Sequence, residues 1–125
     1  MSSPTATICL LDDEPSVLKA LGRLLASIDL QTEKFAEPAC FLAHALNHPV
    51  HLAVIDVRMP GMTGLEVFAE LRKISPQSRV IIMTAEEDPA HRDAAMSNGA
   101  SAFFLKPFDD SAFIAAVRAV MDPEA

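Results

Sequence analysis

The sequence predicts an α/β domain whose parallel sheet is covered by helices on both faces. Three observations carry that prediction. Short β-rich runs recur at long intervals and are continuously apolar rather than alternating, which suits strands buried on two sides. Amphipathic helical patterns fill the intervals, so the order is β-α five times over and requires crossover helices. The chain has 125 residues and is 50% hydrophobic, enough to bury one sizeable core without metal or disulfide staples.

The first strand is TICLL from Thr7. A helix follows from Pro15, where Val17, Leu18, Leu21, Leu24, Leu25 and Ile28 form one apolar stripe. QTEKFA from Gln31 is a weaker second strand; short and charged, it belongs at a sheet edge. The second helix begins near Pro38. HLAVI from His51 is the third strand, with a helix beginning near Gly64. RVIIM from Arg79 is the fourth, and its helix has Asp88 as N-cap, Pro89 as first residue and Gly99 just past the end. SAFFL from Ser101 is the fifth strand, expected like the first, third and fourth to be buried on both faces. Phe113, Ile114, Val117, Val120 and Met121 mark the last helix. The pattern reads as one domain over 1–125, with its core at 7–121 and 122–125 either a tail or the start of a linker.

Seventeen Asp and Glu against ten Lys and Arg leave a net charge of -7. Such a surface repels a phosphate backbone or an anionic membrane, so no direct nucleic-acid or membrane partner is expected. The opening MSSPTAT has no basic n-region and no apolar run reaches the length of a signal core or membrane span, which makes the cytoplasm the expected compartment. Cys9 and Cys40 lack the spacing of a zinc or redox motif and are expected as buried thiols of a reducing compartment.

In an open parallel sheet, ligands bind beyond the carboxyl ends of the strands. Those ends carry Asp12 and Asp13 after the first strand, Asp56 after the third, Thr84 after the fourth and Lys106 after the fifth. Each has an ordinary reading. Asp-Asp-Glu before a helix serves as a cap with acids at the positive end of the dipole. Asp56 ahead of VRMPG fits turn chemistry, Thr84 a plain strand end and Lys106 a solvated charge. All five ordinary readings would have to hold independently while the residues still met at one edge. Converging acids call for a cation, and hard oxygen ligands suit Mg²⁺. With a nearby Lys and Thr, such a site suits phosphoryl transfer.

These residues resemble the receiver domain of two-component response regulators. The resemblance runs from Thr7 to about Met121 and rests on Asp12-Asp13, on DVRMPGMTG from Asp56 to Gly64, on Thr84-Ala85 and on FFLKPF from Phe103 to Phe108. It implies a single doubly wound, flavodoxin-like (βα)5 fold of strand order 2-1-3-4-5. It also implies roles: Asp56 takes a phosphoryl group from a sensor histidine kinase or phosphotransfer protein. Asp13 binds Mg²⁺ (or Mn²⁺) directly, Asp12 acts through water, and Asp56 and the backbone carbonyl of Arg58 add ligands. Lys106 pairs with phosphoryl oxygens and Thr84 donates its hydroxyl. The movement of Thr84 lets Phe103 turn inward, a two-state element biased by a local charge event. Pro107 matches a cis-proline that aims Lys106. The implied readout surface, roughly Asp88 to Met121, meets a downstream protein, an output domain or a second phosphorylated copy.

The switch aromatic is Phe103 rather than Tyr, and Arg58 and Glu86 occupy positions that in this family tune loss of the phosphoryl group. An Arg58-Glu86 pair is expected to shield the acyl phosphate from water. Glu14 is separable from the other two acids, facing outward at the start of the first helix. His44 and His48, at i and i+4, have a metal face as their less ordinary reading and plain surface residues as the more ordinary one. His51 and His91 have no partner legible in sequence. Met59 and Met62 flank a turn, with gap-filling as their ordinary use.

Two rivals come from other classes. A magnesium-dependent phosphatase of the haloacid dehalogenase type also uses a nucleophilic Asp at a strand end, but needs a second Asp where this chain has Arg58. A flavodoxin-like cofactor module needs a glycine- or hydroxyl-rich phosphate loop where this chain has carboxylates. Within the receiver reading, DVRMPGMTGLEV and DDEPSVLKALGRLL look like receivers that precede a helix-turn-helix domain. The chain is then either a free-standing receiver or the regulatory half of a transcription factor.

Overall fold

The structure, a computed structural model, describes residues 7–122. Its elements are β1 (Ile8–Leu11), α1 (Pro15–Ala26), β2 (Thr32–Phe35), α2 (Pro38–Asn47), β3 (Leu52–Asp56), α3 (Gly64–Ile74), β4 (Arg79–Thr84), α4 (Pro89–Ser97), β5 (Ala102–Leu105) and α5 (Asp110–Met121). All strand pairs are parallel and the order is β2-β1-β3-β4-β5, as the resemblance implies. Most of the opening MSSPTAT, and 123–125 of the expected tail, lie outside the described residues.

Alternate side chains of a strand leave opposite faces, so a run that is apolar at every position needs cover on both. Ile8, Leu10, Leu52, Val54, Ile81 and Met83 face α1 and α5, packing on Leu18, Leu21, Leu25, Phe113 and Val117. Cys9, Leu11, Ala53, Ile55, Val80 and Ile82 face the other way, onto Phe41 of α2, Phe68 and Leu71 of α3 and Ala95 of α4. The two half-cores clamp the central strands and hold their ends in register. Asp88 caps α4 by accepting from Ala90 N–H at 2.9 Å, and Gly99, at φ 93°, follows the last helical turn.

Two expectations are corrected. β5 is not buried on both faces: it pairs only with β4, and Leu105 is 38% exposed. An apolar run marks a strand without saying how fully helices cover its two faces. Cys40 is exposed rather than buried; it sits in the first turn of α2, with its Sγ 3.5 Å from Glu37 Oε1. Cys9 is buried in β1, and burial, helped by the charge of Glu33, pushes its thiol up to about 12.

The stacked rings of His44 and His48 are 4.3 Å apart and 8° from parallel, so their nitrogen lone pairs lie in separate planes and do not converge on one metal. His51 has a partner, its Nδ1 accepting from Thr7 N–H at 2.9 Å. Met59 is buried and Met62 packs against the same half-core, the gap-filling use.

Candidate functional site

Because the strands all run one way, their carboxyl ends share one edge. β3 ends on Asp56 and β4 on Thr84, while Asp12 and Lys106 are the first residues past β1 and β5. Asp12, Asp56 and Thr84 are buried, whereas Asp13 is exposed. Asp12, Asp13 and Asp56 each bring a carboxylate oxygen to within 4.8 Å of the other two. That spacing suits one small cation with hard oxygen ligands, so these residues fit Mg²⁺.

Asp12 has both oxygens engaged. Oδ1 accepts from Glu14 N–H at 2.9 Å and Oδ2 from Lys106 Nζ at 2.7 Å. Lys106 Nζ also lies 3.0 Å from Asp56 Oδ1. The Lys106-Pro107 peptide bond is cis. Lys106 N–H donates to Thr84 O at 2.7 Å, which ties the end of β5 to that of β4. Thr84 Oγ1 accepts from Glu86 N–H at 3.1 Å, so its own proton points elsewhere. Glu14 is the exposed N-cap residue of α1 and makes no side-chain cap, which separates it from the cluster.

The loop after Asp56 is shaped by two glycines. Gly61 holds a turn at φ 85°. Gly64 packs so tightly under β3 that a Cβ there would stand 2.1 Å from Asp56 O, and its N–H donates to Val57 O at 2.8 Å. Thr63 then starts α3 with a reciprocal cap: Thr63 Oγ1 accepts from Glu66 N–H at 3.2 Å and Glu66 Oε1 from Thr63 N–H at 2.9 Å. The sequence reading placed a helix near Gly64 but missed both devices. The signal for the cap was present in the spacing of Thr63 and Glu66; nothing in the sequence announces how closely Gly64 approaches the end of β3.

Burial is the largest influence on Asp56 and raises its carboxyl from 3.8 to about 6. The hydrogen bond and charge of Lys106 work against that rise, and the charges of Asp12 and Asp13 add to it. Burial would lower the Lys106 ammonium, but its hydrogen bonds to Asp12 and Asp56, together with their charges, leave it raised. The site is thus an ammonium clamped between two carboxylates, with a third at the rim.

Arg58 and Glu86, from the loops after β3 and β4, form an exposed ion pair through Nη1 and Oε2. Phe103 of β5 is half-buried against the α2–α4 side, with Arg92 Cζ 5.8 Å from its ring centroid.

Residues 8–118 match the family described as the response regulator receiver domain. This chain belongs to that family. The receiver is 35% identical over 121 residues to the response regulator protein TodT of Pseudomonas putida, covering 97% of this chain and 53% of that protein. It is 40% identical over 115 residues to the transcriptional regulatory protein FixJ of Azorhizobium caulinodans, covering 92% and 54%. It therefore spans about half the length of these curated relatives. A CheY-like receiver domain protein from Methanospirillum hungatei JF-1 superposes with a TM-score of 0.90 at 22% identity, over 96% of each chain. The BeF3-activated DrrB receiver domain gives 0.86 at 24% identity, over 95% and 99%. At those identities the likeness is one of fold. Receivers are signalling switches of two-component systems, which displaces the phosphatase and cofactor-module rivals. Among the described residues no helix is long and apolar enough to cross a membrane.

Proposed function

We propose that this receiver accepts a phosphoryl group on Asp56 from a sensor histidine kinase or phosphotransfer protein. The carrying observation is the buried Asp56 carboxylate, with Lys106 Nζ 3.0 Å from it and the oxygens of Asp12 and Asp13 within 4.8 Å. An Asp56 oxygen attacks the phosphorus of the donor phosphohistidine, the P–N bond breaks, and the histidine nitrogen leaves with the electron pair. A carboxyl near about 6 is largely ionised at neutral pH, as a nucleophile needs. Mg²⁺ or Mn²⁺, when bound, supplies positive charge against the phosphoryl oxygens.

Exposed Asp13, Asp56 and the Arg58 backbone carbonyl are the direct metal ligands of this reading. Asp12, with both oxygens engaged, acts through water. Lys106 pairs with the phosphoryl oxygens. Thr84 donates its hydroxyl proton to them and moves, and Phe103 turns inward behind it. The altered α4, β5 and α5 face then meets a downstream protein, an output domain or a second phosphorylated copy. The name of FixJ, a transcriptional regulatory protein, favours the regulatory half of a transcription factor over a stand-alone receiver, and the cytoplasm is the compartment of this reading. The Arg58-Glu86 pair closes over the rim and slows water attack on the acyl phosphate; Arg58→Ala then shortens its lifetime, and an unchanged lifetime removes that role.

The test of the central claim uses intact-protein mass spectrometry after incubation with Mg²⁺ and acetyl phosphate. The parent should gain one phosphoryl group and Asp56→Asn none. Equal labelling of both, or of neither, refutes the assignment.

A further inference from the structure

The ion pair over the rim continues beyond Glu86. His91 stands in the first turn of α4 with its side chain 23% exposed. Its Nδ1 lies 4.0 Å from Glu86 Oε1, and its Nε2 lies 3.8 Å from Asp88 Oδ2. Nδ1 is shut off from solvent and has no hydrogen-bond partner. A polar ring atom in that state is rare and costly, so its surroundings call for an explanation.

The neighbouring carboxylate provides one. Glu86 gives Oε2 to Arg58 and leaves Oε1 on the side of His91. Arg58 and Glu86 are 66% and 41% exposed, and pairs so open to water hold their geometry weakly. A third group behind the carboxylate remedies this, because a shift of about 1 Å would bring Nδ1 and Oε1 to ordinary hydrogen-bond distance. Asp88, which also caps α4, stands at the far nitrogen of the ring.

We propose that His91 is the positioning residue of the Arg58-Glu86 clasp, holding Glu86 from the α4 side and thereby prolonging the life of the phosphorylated state. The proposal rests on the receiver chemistry above. It names a physical chain, Asp88, His91, Glu86, Arg58, that runs from the start of α4 to the loop beside Asp56. A partner that moves α4 then alters phosphoryl lifetime through that chain.

The test measures phosphoryl lifetime after acetyl phosphate labelling and rapid desalting. The variants are His91→Ala, His91→Gln, Glu86→Ala and the Glu86→Ala/His91→Ala double, with folding of each checked by circular dichroism. His91→Ala should shorten the lifetime about two- to fivefold, the scale of an exposed charge pair. His91→Gln, which keeps a donor, should recover part of that loss. In the Glu86→Ala background, His91→Ala should change nothing further, a coupling that a merely structural role would not produce. If the parent labels at Asp56 but His91→Ala keeps the parent's lifetime, or acts undiminished without Glu86, His91 has no such role. A parent that takes no Asp56-dependent label overturns the receiver chemistry together with this proposal.

Discussion

Replacing Asp56 by Asn should stabilise the fold at neutral pH, and the gain should fade on acidification. The carboxyl is raised from 3.8 to about 6 in the folded protein, with burial as the first cause. Between those values the folded chain holds a proton that the unfolded chain has released, so stability falls as pH rises through that window. Above about pH 6 the penalty is fully present. Two units at about 1.4 kcal/mol each give about 3 kcal/mol as an upper bound. Asn keeps the shape and removes the charge, so Asp56→Asn should be about 1–3 kcal/mol more stable at about pH 7.5 and retain roughly a third of that advantage near pH 4.5. Urea unfolding of both proteins measures this directly, and the expected gain moves the midpoint by about 1 M. An Asn variant no more stable than the parent at about pH 7.5, or one whose advantage is as large near pH 4.5, refutes the argument that burial and neighbouring acids penalise the ionised Asp56.

Three further outcomes follow from the same site. Lys106→Met strips the partner from two buried carboxylates and should cost about 3–5 kcal/mol in urea unfolding; adding Asp56→Asn should recover much of that loss, and a Lys106→Met variant as stable as the parent would show the clamp to be irrelevant to folding. Gly64→Ala would place a Cβ 2.1 Å from Asp56 O, so the β3–α3 junction must shift at a cost of about 1–3 kcal/mol, seen as a lower thermal midpoint; an unchanged midpoint counts against the close approach. Added Mg²⁺ should raise the parent's midpoint and chelator should reverse it, with a smaller rise in Asp13→Asn; an equal rise in both would remove Asp13 from the ligand set.

The strands and the site residues were legible because each depends on local pattern. Runs of apolar residues set β1, β3 and β4, and the polar residue closing each run becomes a site residue once the strands are parallel. Cys40 escaped because an apolar neighbourhood in sequence is shared by both faces of a helix, and only packing decides which face is covered. The exposure of β5 escaped for the same reason: its outermost place was in the implied strand order, but how fully helices cover its faces is a property of the assembled packing. The approach of Lys106 to Asp12 joins residues 94 positions apart; the resemblance implied Lys106 at the phosphoryl site, but no spacing rule supplied its bond to Asp12. For His91, Asp88 stands three positions before it at the helix start, a local spacing that was legible but went unread, whereas Glu86 comes near only through the path of the loop ahead of α4.

The outermost place of β5 gives the family member an evolutionary freedom. Leu105 and, on α4, Met96 are 38% and 44% exposed, whereas Leu10, Val54 and Ile81 are wholly enclosed. Mutations at the outer rim leave the enclosed layers intact, so they accumulate at little cost to the fold. Side chains on that rim can therefore be redrawn freely, while the acidic end of the central strands, fixed by the enclosed layers, stays as it is.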